Sequence, residues 1–247
     1  MARVSQTVDC TDPASRAEGI SAAQDALSRG ETVVLPTDTV YGIGADAFSP
    51  QAVAVLLAAK GRSRAMPPPV LIGRPEIMDA LAIDVPEEAR ALAQAFWPGP
   101  MTLILHAQPS LRWDLGETRG TVALRMPADD LALDLLGATG PLAVSSANRT
   151  GMPAATTVAQ AQQMLAESVS VYLDDGDRGS SEASTIIDAT VTPLRVVRPG
   201  ALPLAELQAV VASLAPEAPS EAEASEAPAE AEASEAPPEA EAPDTHS

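Results

Sequence analysis

The chain is poor in several residue types, and each scarcity closes off a class of chemistry. Cys10 is the single cysteine among 247 residues, so no intrachain disulfide can form. Histidine occurs twice, at His106 and at His246 in the C-terminal tail, which nearly excludes a histidine metal cluster or a Ser/His/Asp triad. Aromatic residues make up 2% of the chain, so the core has to be built from Ala, Val, Leu and Ile. No apolar run approaches the length of a membrane span, and Met1-Ala2-Arg3-Val4-Ser5-Gln6 lacks the apolar centre of a secretion signal. A cytoplasmic protein is expected. Neither GxxxxGK[ST] before a helix nor GxGxxG occurs, which removes the P-loop and the dinucleotide fingerprint. Lysine is scarcest of the charged types: Lys60 stands alone beside 14 arginines.

With 46% hydrophobic and 20% charged residues, the composition fits one globular domain of ordinary size, or at most two small ones. The formal net charge of −19 is unevenly spread. From Glu217 onward there are 10 acidic residues and no Lys or Arg, which leaves 24 acids against 15 bases, a net −9, for the rest. A broad nucleic-acid-binding face needs a basic patch or stripe, so strong direct nucleic-acid binding is not expected. The acidic segment carries a tandem repeat, EAEASEAPA at 221–229 and EAEASEAPP at 230–238. Such a Pro/Ala/Glu sequence cannot bury enough apolar surface to offset its conformational entropy, so residues 215–247 are expected to be a disordered, solvated tail after a folded domain at 1–214.

Within the domain, helical and extended patterns alternate. Asp12-Pro13 starts a helix that Gly30 can end, and Ser49-Pro50 starts a second that runs to Ala59 with Gly61 as its stop. Further helices are expected at Glu76–Leu81, Glu87–Phe96, Asp130–Leu136, Val158–Leu165 and Leu204–Leu214. Thr32–Leu35, Pro69–Ile72, Met101–His106, Thr121–Met126, Leu142–Ser145, Val169–Leu173, Thr185–Asp188 and Leu194–Val197 read as extended. Several strands follow one another without room for a crossover helix, so the fold class is α/β with a mixed sheet. Ligands in open α/β sheets sit where loops leave strand ends.

Polar segments fall at such places. Residues 36–44, PTDTVYGIG, read either as a turn presenting hydroxyls and a carboxylate to a cleft or as an ordinary capped turn. Lys60-Gly61-Arg62-Ser63-Arg64 gathers three cations within five residues, enough to hold a polyanion such as a triphosphate, unless the lysine is a chance survivor in an arginine-biased chain. Ser145-Ser146-Ala147-Asn148 leaves an apolar strand, where small hydroxyls and an amide let a ligand approach the backbone. Arg125 alternates with Val122 and Leu124, and therefore lies exposed on the sheet face or points at a ligand carboxylate.

PTDTVYGIG, KGR, WPGPMTLIL, GTVALRMP, SSAN with a trailing GMP, STIID and VVRPG occur in this order between about Thr11 and Leu214. The chain thereby resembles the YrdC-like L-threonylcarbamoyladenylate synthases, in the short, single-domain form. That resemblance implies a twisted open α/β sheet with flanking helices around a central, positively lined cavity. It implies a nucleotidyltransferase that makes threonylcarbamoyl-AMP and pyrophosphate from L-threonine, bicarbonate and ATP with Mg2+. The product would pass to the machinery that places threonylcarbamoyl on adenosine 37 of tRNA.

The resemblance also implies residue roles. Lys60 and Arg62 match the cations of a KxR motif, with Arg62 facing the nucleotide phosphates and Lys60 following moving phosphate charge as a mobile donor. Thr121 and Ser146 match nucleotide-contacting hydroxyls, Asn148 completes an SxN signature, and Arg198 matches a further ATP contact. Thr39, Arg125 and Ser184 match the threonine site, where Arg125 can pair with the carboxylate through two hydrogen bonds. No protein ligand for a metal is implied, because magnesium often binds through substrate phosphates and water. Two departures stand out: Met66 and a proline run replace a commonly found Asn or Lys, and Gly73 takes the place of a histidine. A binding module that holds nucleotide or RNA without catalysis is the second reading, since fold alone does not settle activity. The third is a carbamoyl-adenylate-forming domain of hydrogenase-maturation proteins, whose zinc-finger and acylphosphatase segments have no likeness here.

Overall fold

A computed structural model describes residues 5–179 and 182–214. The acidic segment at 215–247, with His246, lies outside the described residues. In chain order the elements are β1 (Gln6–Asp9), α1 (Pro13–Ser28), β2 (Val33–Leu35), β3 (Gly42–Asp46), α2 (Pro50–Lys60), β4 (Val70–Leu71), α3 (Ile77–Leu81), β5 (Ala82–Ile83), α4 (Glu87–Phe96), β6 (Met101–Ala107), β7 (Thr121–Arg125), α5 (Asp130–Thr139), β8 (Leu142–Ser146), α6 (Val158–Leu165), β9 (Val171–Asp174), β10 (Thr185–Asp188), β11 (Arg195–Arg198) and α7 (Leu204–Ala212).

Capping chemistry sets the helix ends that matter for the site. The Asp12 carboxylate accepts from the amides of Ala14 and Ser15 at the start of α1, and the Ser49 hydroxyl accepts from Ala52 at the start of α2. Gly61 stops α2 in the left-handed region at φ 60°, which glycine adopts without the Cβ clash other residues suffer. That stop puts Lys60 in the last helical turn and sends Arg62 into the next loop.

The strands form one open, mixed sheet in the order β1-β9-β2-β3-β8-β4-β7-β6-β10-β11, with β5 paired to β6. Parallel pairs (β1 with β9, β2 with β9, β4 with β7, β6 with β10) are mixed with antiparallel ones such as β3 with β8 and β6 with β7. β1, β3 and β5 are not expected from sequence. The sequence reads residues 36–44 as a turn, and Gly42 and Gly44 lower strand propensity there. In the fold those glycines are required by packing, since a Cβ on Gly42 would sit 2.5 Å from Val144 Cγ1 on the neighbouring β8.

The core is mainly aliphatic, with Tyr41, Tyr172 and Trp97 as its aromatic members, and it lies on both faces of the sheet. On one face Ala23, Ala26 and Leu27 of α1 and Leu131, Leu135 and Leu136 of α5 pack on Val33, Leu35, Leu71 and Val144. The other face takes the larger cluster, including Leu56 and Leu57 of α2, Leu92 of α4 and Leu207 of α7. Register then places the polar residues. Arg125 is paired with Leu71, so it shares the α1/α5 face, while Leu124 is paired with Val70 and faces the larger cluster.

Candidate active site

Further along the α1/α5 face, the strands β7, β6 and β10 line a cleft of about 290 Å³. Alternation supplies its floor: Thr121, Ala123 and Arg125 from β7, Thr102 and Ile104 from β6, and Ile186 from β10. Cross-strand pairing sets these side by side, with Thr102 opposite Ile186 and Ile104 opposite Ala123. The walls come from loops: Thr37 and Thr39 to Gly42, Arg62, Pro67 to Pro69, Ser145 and Ser146, and Ala183 and Ser184, with Val197 and Arg198 at the sheet edge. Of the residues expected at the site, Thr39, Arg62, Thr121, Arg125, Ser146, Ser184 and Arg198 line this cleft, and Lys60 and Asn148 do not.

Arg125 is buried and held from three sides. Its Nε donates to Gly99 O (3.0 Å), Nη1 to Thr39 Oγ1 (3.1 Å) and Nη2 to Asp38 Oδ1 (2.6 Å). Asp38 is itself held by the amide of Ala128 at 3.0 Å. A guanidinium has five N–H donors, so one on each terminal nitrogen remains for a ligand in the cleft. Burial pushes the Arg125 pKa down, Asp38 pushes it back up, and Arg198 adds a further downward push.

Arg62 and Arg198 complete a set of guanidiniums facing the same space. Arg62 Nη1 donates to Ser145 Oγ at 2.9 Å, while its buried Nε has no hydrogen-bond partner among the described residues. Arg198 donates to Ser184, from Nη2 to the main-chain O at 2.6 Å and to Oγ at 3.2 Å. Both pKa values are lowered, in Arg62 by burial and then by Arg198, and in Arg198 by burial. Concentrating like charges in a partly desolvated cleft is unfavourable until an anion arrives, and that mark is common at functional sites. The link between Arg198 and Ser184 depends on Gly200: a Cβ there would run into Ala183 O and lie 2.7 Å from Ser184 O.

Lys60 departs from the mobile phosphate donor expected of it. It is 3% exposed, and its ammonium donates to the main-chain oxygens of Ser146 and Asn148 and to Asn148 Oδ1. An ammonium has three donors, so all are committed to the turn that follows β8. Burial, and then repulsion from Arg62, pushes its pKa down to about 8. Asn148 belongs to the same turn: Nδ2 donates to Arg149 O at 3.0 Å and Met152 O at 2.6 Å. The pair therefore shapes the segment carrying Ser145 and Ser146 instead of facing the cleft.

Several contributors escaped sequence reasoning. Asp38 reads in sequence as a carboxylate presented by the turn, and its pairing with Arg125 is set by the fold. Thr102, 1% exposed, bonds Ser184 hydroxyl to hydroxyl at 2.9 Å, and only the parallel pairing of β6 and β10 brings the two together. Arg178 carries no local sequence signal of its role. It bonds Asp129 at 2.8 Å and packs 5.6 Å from the Tyr41 ring centre, tying the loop after β9 to the PTDTVY turn. Gly73, which stands in place of a histidine found in related sequences, packs against Leu136, outside the cleft. His106 is exposed.

Known proteins are similar to this chain in sequence and fold. A family model described as Sua5_yciO_yrdC, telomere recombination, matches residues 25–200. A Mycobacterium leprae protein with a provisional threonylcarbamoyl-AMP synthase name is 50% identical over 211 residues, covering 85% of this chain and 96% of the relative. The Pyrococcus abyssi threonylcarbamoyl-AMP synthase is 37% identical over 196 residues, and this chain spans 58% of its length. The crystal structure of P. abyssi Sua5 complexed with L-threonine superposes with a TM-score of 0.79 at 35% identity, covering 83% of this chain and 61% of that one. By its motifs, its fold and these relatives, the chain belongs to the Sua5/YciO/YrdC family.

Proposed function

We infer that this chain is an L-threonylcarbamoyladenylate synthase, a nucleotidyltransferase that makes threonylcarbamoyl-AMP and pyrophosphate for the threonylcarbamoyl modification of adenosine 37 in tRNA. Half-identical relatives bearing that activity's name support the reading, and L-threonine is the ligand named in the Sua5 crystal structure. The observation that carries it in this molecule is the cleft itself, where Arg62, Arg125 and Arg198 converge with donors to spare and with hydroxyls between them.

The chemistry asks mainly for charge handling. Threonine's amine and bicarbonate combine with loss of water: the N–C bond forms, a C–O bond of bicarbonate breaks, and an N-carboxylate results. A carboxylate oxygen of this intermediate attacks the α-phosphorus of ATP, and the bond to the pyrophosphate oxygen breaks. Both partners are anionic, so holding them together and stabilising charge on the leaving phosphates is the main task. Arg125 takes the amino-acid carboxylate through its two remaining N–H groups, with Thr39 and Ser184 beside it. Arg62 and Arg198, with the hydroxyls of Thr121 and Ser146, take the nucleotide. Lys60 and Asn148 act on ATP indirectly, by shaping the turn that presents Ser145 and Ser146.

Magnesium would neutralise phosphate charge when bound with ATP. Such an ion would be held mainly by the phosphates and water. No helix of the described residues is long and apolar enough to cross a membrane. We place the enzyme in the cytoplasm, where ATP and tRNA are at hand and where the product is handed to the tRNA-modifying machinery. The test is pyrophosphate release by purified protein with each substrate omitted in turn. Release only when L-threonine, bicarbonate and ATP are all present is expected; release without threonine would sink the assignment.

A further inference from the structure

Two hydroxyls of the PTDT turn line the cleft, Thr37 at 4% exposure and Thr39 at 3%, and their proton order can be read from their partners. Thr37 Oγ1 lies 2.6 Å from Val40 O, an acceptor with no proton of its own, so Thr37 donates there. A hydroxyl has one proton. In the 3.1 Å contact between Thr37 Oγ1 and Thr39 Oγ1, Thr37 must therefore accept, and Thr39 donates. The incoming side of Thr39 is also set, because Arg125 Nη1 donates to its oxygen at 3.1 Å. The chain of donors runs one way, from Arg125 to Thr39 to Thr37 to Val40 O. Thr39 is left with a lone pair and no proton to offer a ligand.

We propose that Thr37 is a positioning residue that makes Thr39 a pure acceptor in the cleft, so that Thr39 takes an N–H of the substrate's α-amino group while Arg125 takes its carboxylate. The proposal rests on reading this part of the cleft as the threonine site. An α-amino acid carries its nitrogen two bonds from its carboxyl carbon. A carboxylate on the free N–H of Arg125 Nη1 thus brings the nitrogen beside Thr39 Oγ1, the neighbour of that same Nη1. The direction of the Thr39 proton then matters for reactivity. If it pointed into the cleft it would bond to the amine lone pair, which is the electron pair that must form the new N–C bond. By drawing that proton away, Thr37 leaves the lone pair free and lets Thr39 hold the amine by an N–H. The amides of Thr39 and Val40, at 3.2 and 3.3 Å, share the second lone pair of the Thr37 oxygen, which leaves the first for Thr39.

The test compares Thr37→Val with Thr37→Ser in the full-length enzyme, reading initial rates of pyrophosphate release against L-threonine and against ATP. It adds 3-hydroxybutanoate, which has the carboxylate and hydroxyl but no amine, as a competitive inhibitor. Thr37→Val should raise the KM for L-threonine about tenfold, the loss of one directed hydrogen bond. The KM for ATP and the inhibition constant for 3-hydroxybutanoate should stay within about twofold, and Thr37→Ser should behave as the parent. Should the valine variant fail to fold, Thr37→Cys, whose sulfur is a weak acceptor, carries the same expectation. Equal weakening of L-threonine and 3-hydroxybutanoate would reduce Thr37 to a structural role and overturn the proposal, as would an unchanged KM for L-threonine. A parent enzyme that needs no threonine would overturn the site reading and the relay with it, and that failure shows before any variant is made.

Discussion

Replacing Lys60 by Met separates two roles that a cation in a KxR motif can have. The ammonium donates to three oxygens, two of them main-chain, at a position 3% exposed. Met keeps the length and apolar stem but removes every donor. A buried acceptor left without its donor costs about 1–3 kcal/mol. Asn148 is buried and its Nδ2 is held by Arg149 O and Met152 O, so Oδ1 stays in place beside the two main-chain oxygens, and removing a desolvated charge returns part of the loss. The net expectation is a loss of about 2 kcal/mol in stability. Urea denaturation measures it as a lower midpoint at unchanged slope. Because the turn carries Ser145 and Ser146, the KM for ATP should rise along with it. Lys60→Arg should also impair the enzyme, since a planar fork cannot replace a compact ammonium among three converging oxygens. A Met variant as stable as the parent, but about a hundredfold slower in pyrophosphate release, would refute the clamp and return Lys60 to the phosphates.

Other outcomes follow from the same contacts. Asp38→Asn removes the countercharge of a buried guanidinium, and thermal or urea denaturation should show a loss of about 3 kcal/mol; no loss would mean that Gly99 and Thr39 alone hold Arg125. Arg62→Ala should raise the KM for ATP well above that for threonine in steady-state assays, and it should leave stability equal or slightly higher because Arg62 and Arg198 repel each other. Cys10 is buried, and desolvation, followed by the charges of Asp175 and Asp9, pushes its thiol up to about 11 from 9.0. The unfolded chain therefore loses this proton first, so the Cys10 contribution is intact below about pH 9 and is lost as pH rises toward 11. Denaturation across that range should show stability falling more steeply for the parent than for Cys10→Ala; identical slopes would refute it.

Much of the molecule was legible in its amino acids because local physics writes it there. Asp12-Pro13, Ser49-Pro50 and Gly61 are capping signals whose effect is confined to one helical turn, and the helices begin and stop where they stand. Strand alternation placed Arg125 on the face opposite Val122 and Leu124 before any neighbour was known. The ordered motifs identified the family. The strand at Gly42–Asp46 was hidden because its glycines answer to Val144, a residue about a hundred positions away that no local window contains.

The division is clearest in the polar groups. Residue type and period settled which side chains could hold anions and which face of a strand each would share. The partner each one meets was decided by sheet register and loop closure. Lys60 reads as a free cation in sequence, yet the approach of the turn after β8 takes up all three of its donors. Arg125 reads as exposed or ligand-facing, yet it is buried with Asp38 and still keeps donors for the cleft. Hydrogen bonds and desolvation act over a few ångströms between segments far apart in the chain, so they come into being only when the sheet brings those segments together.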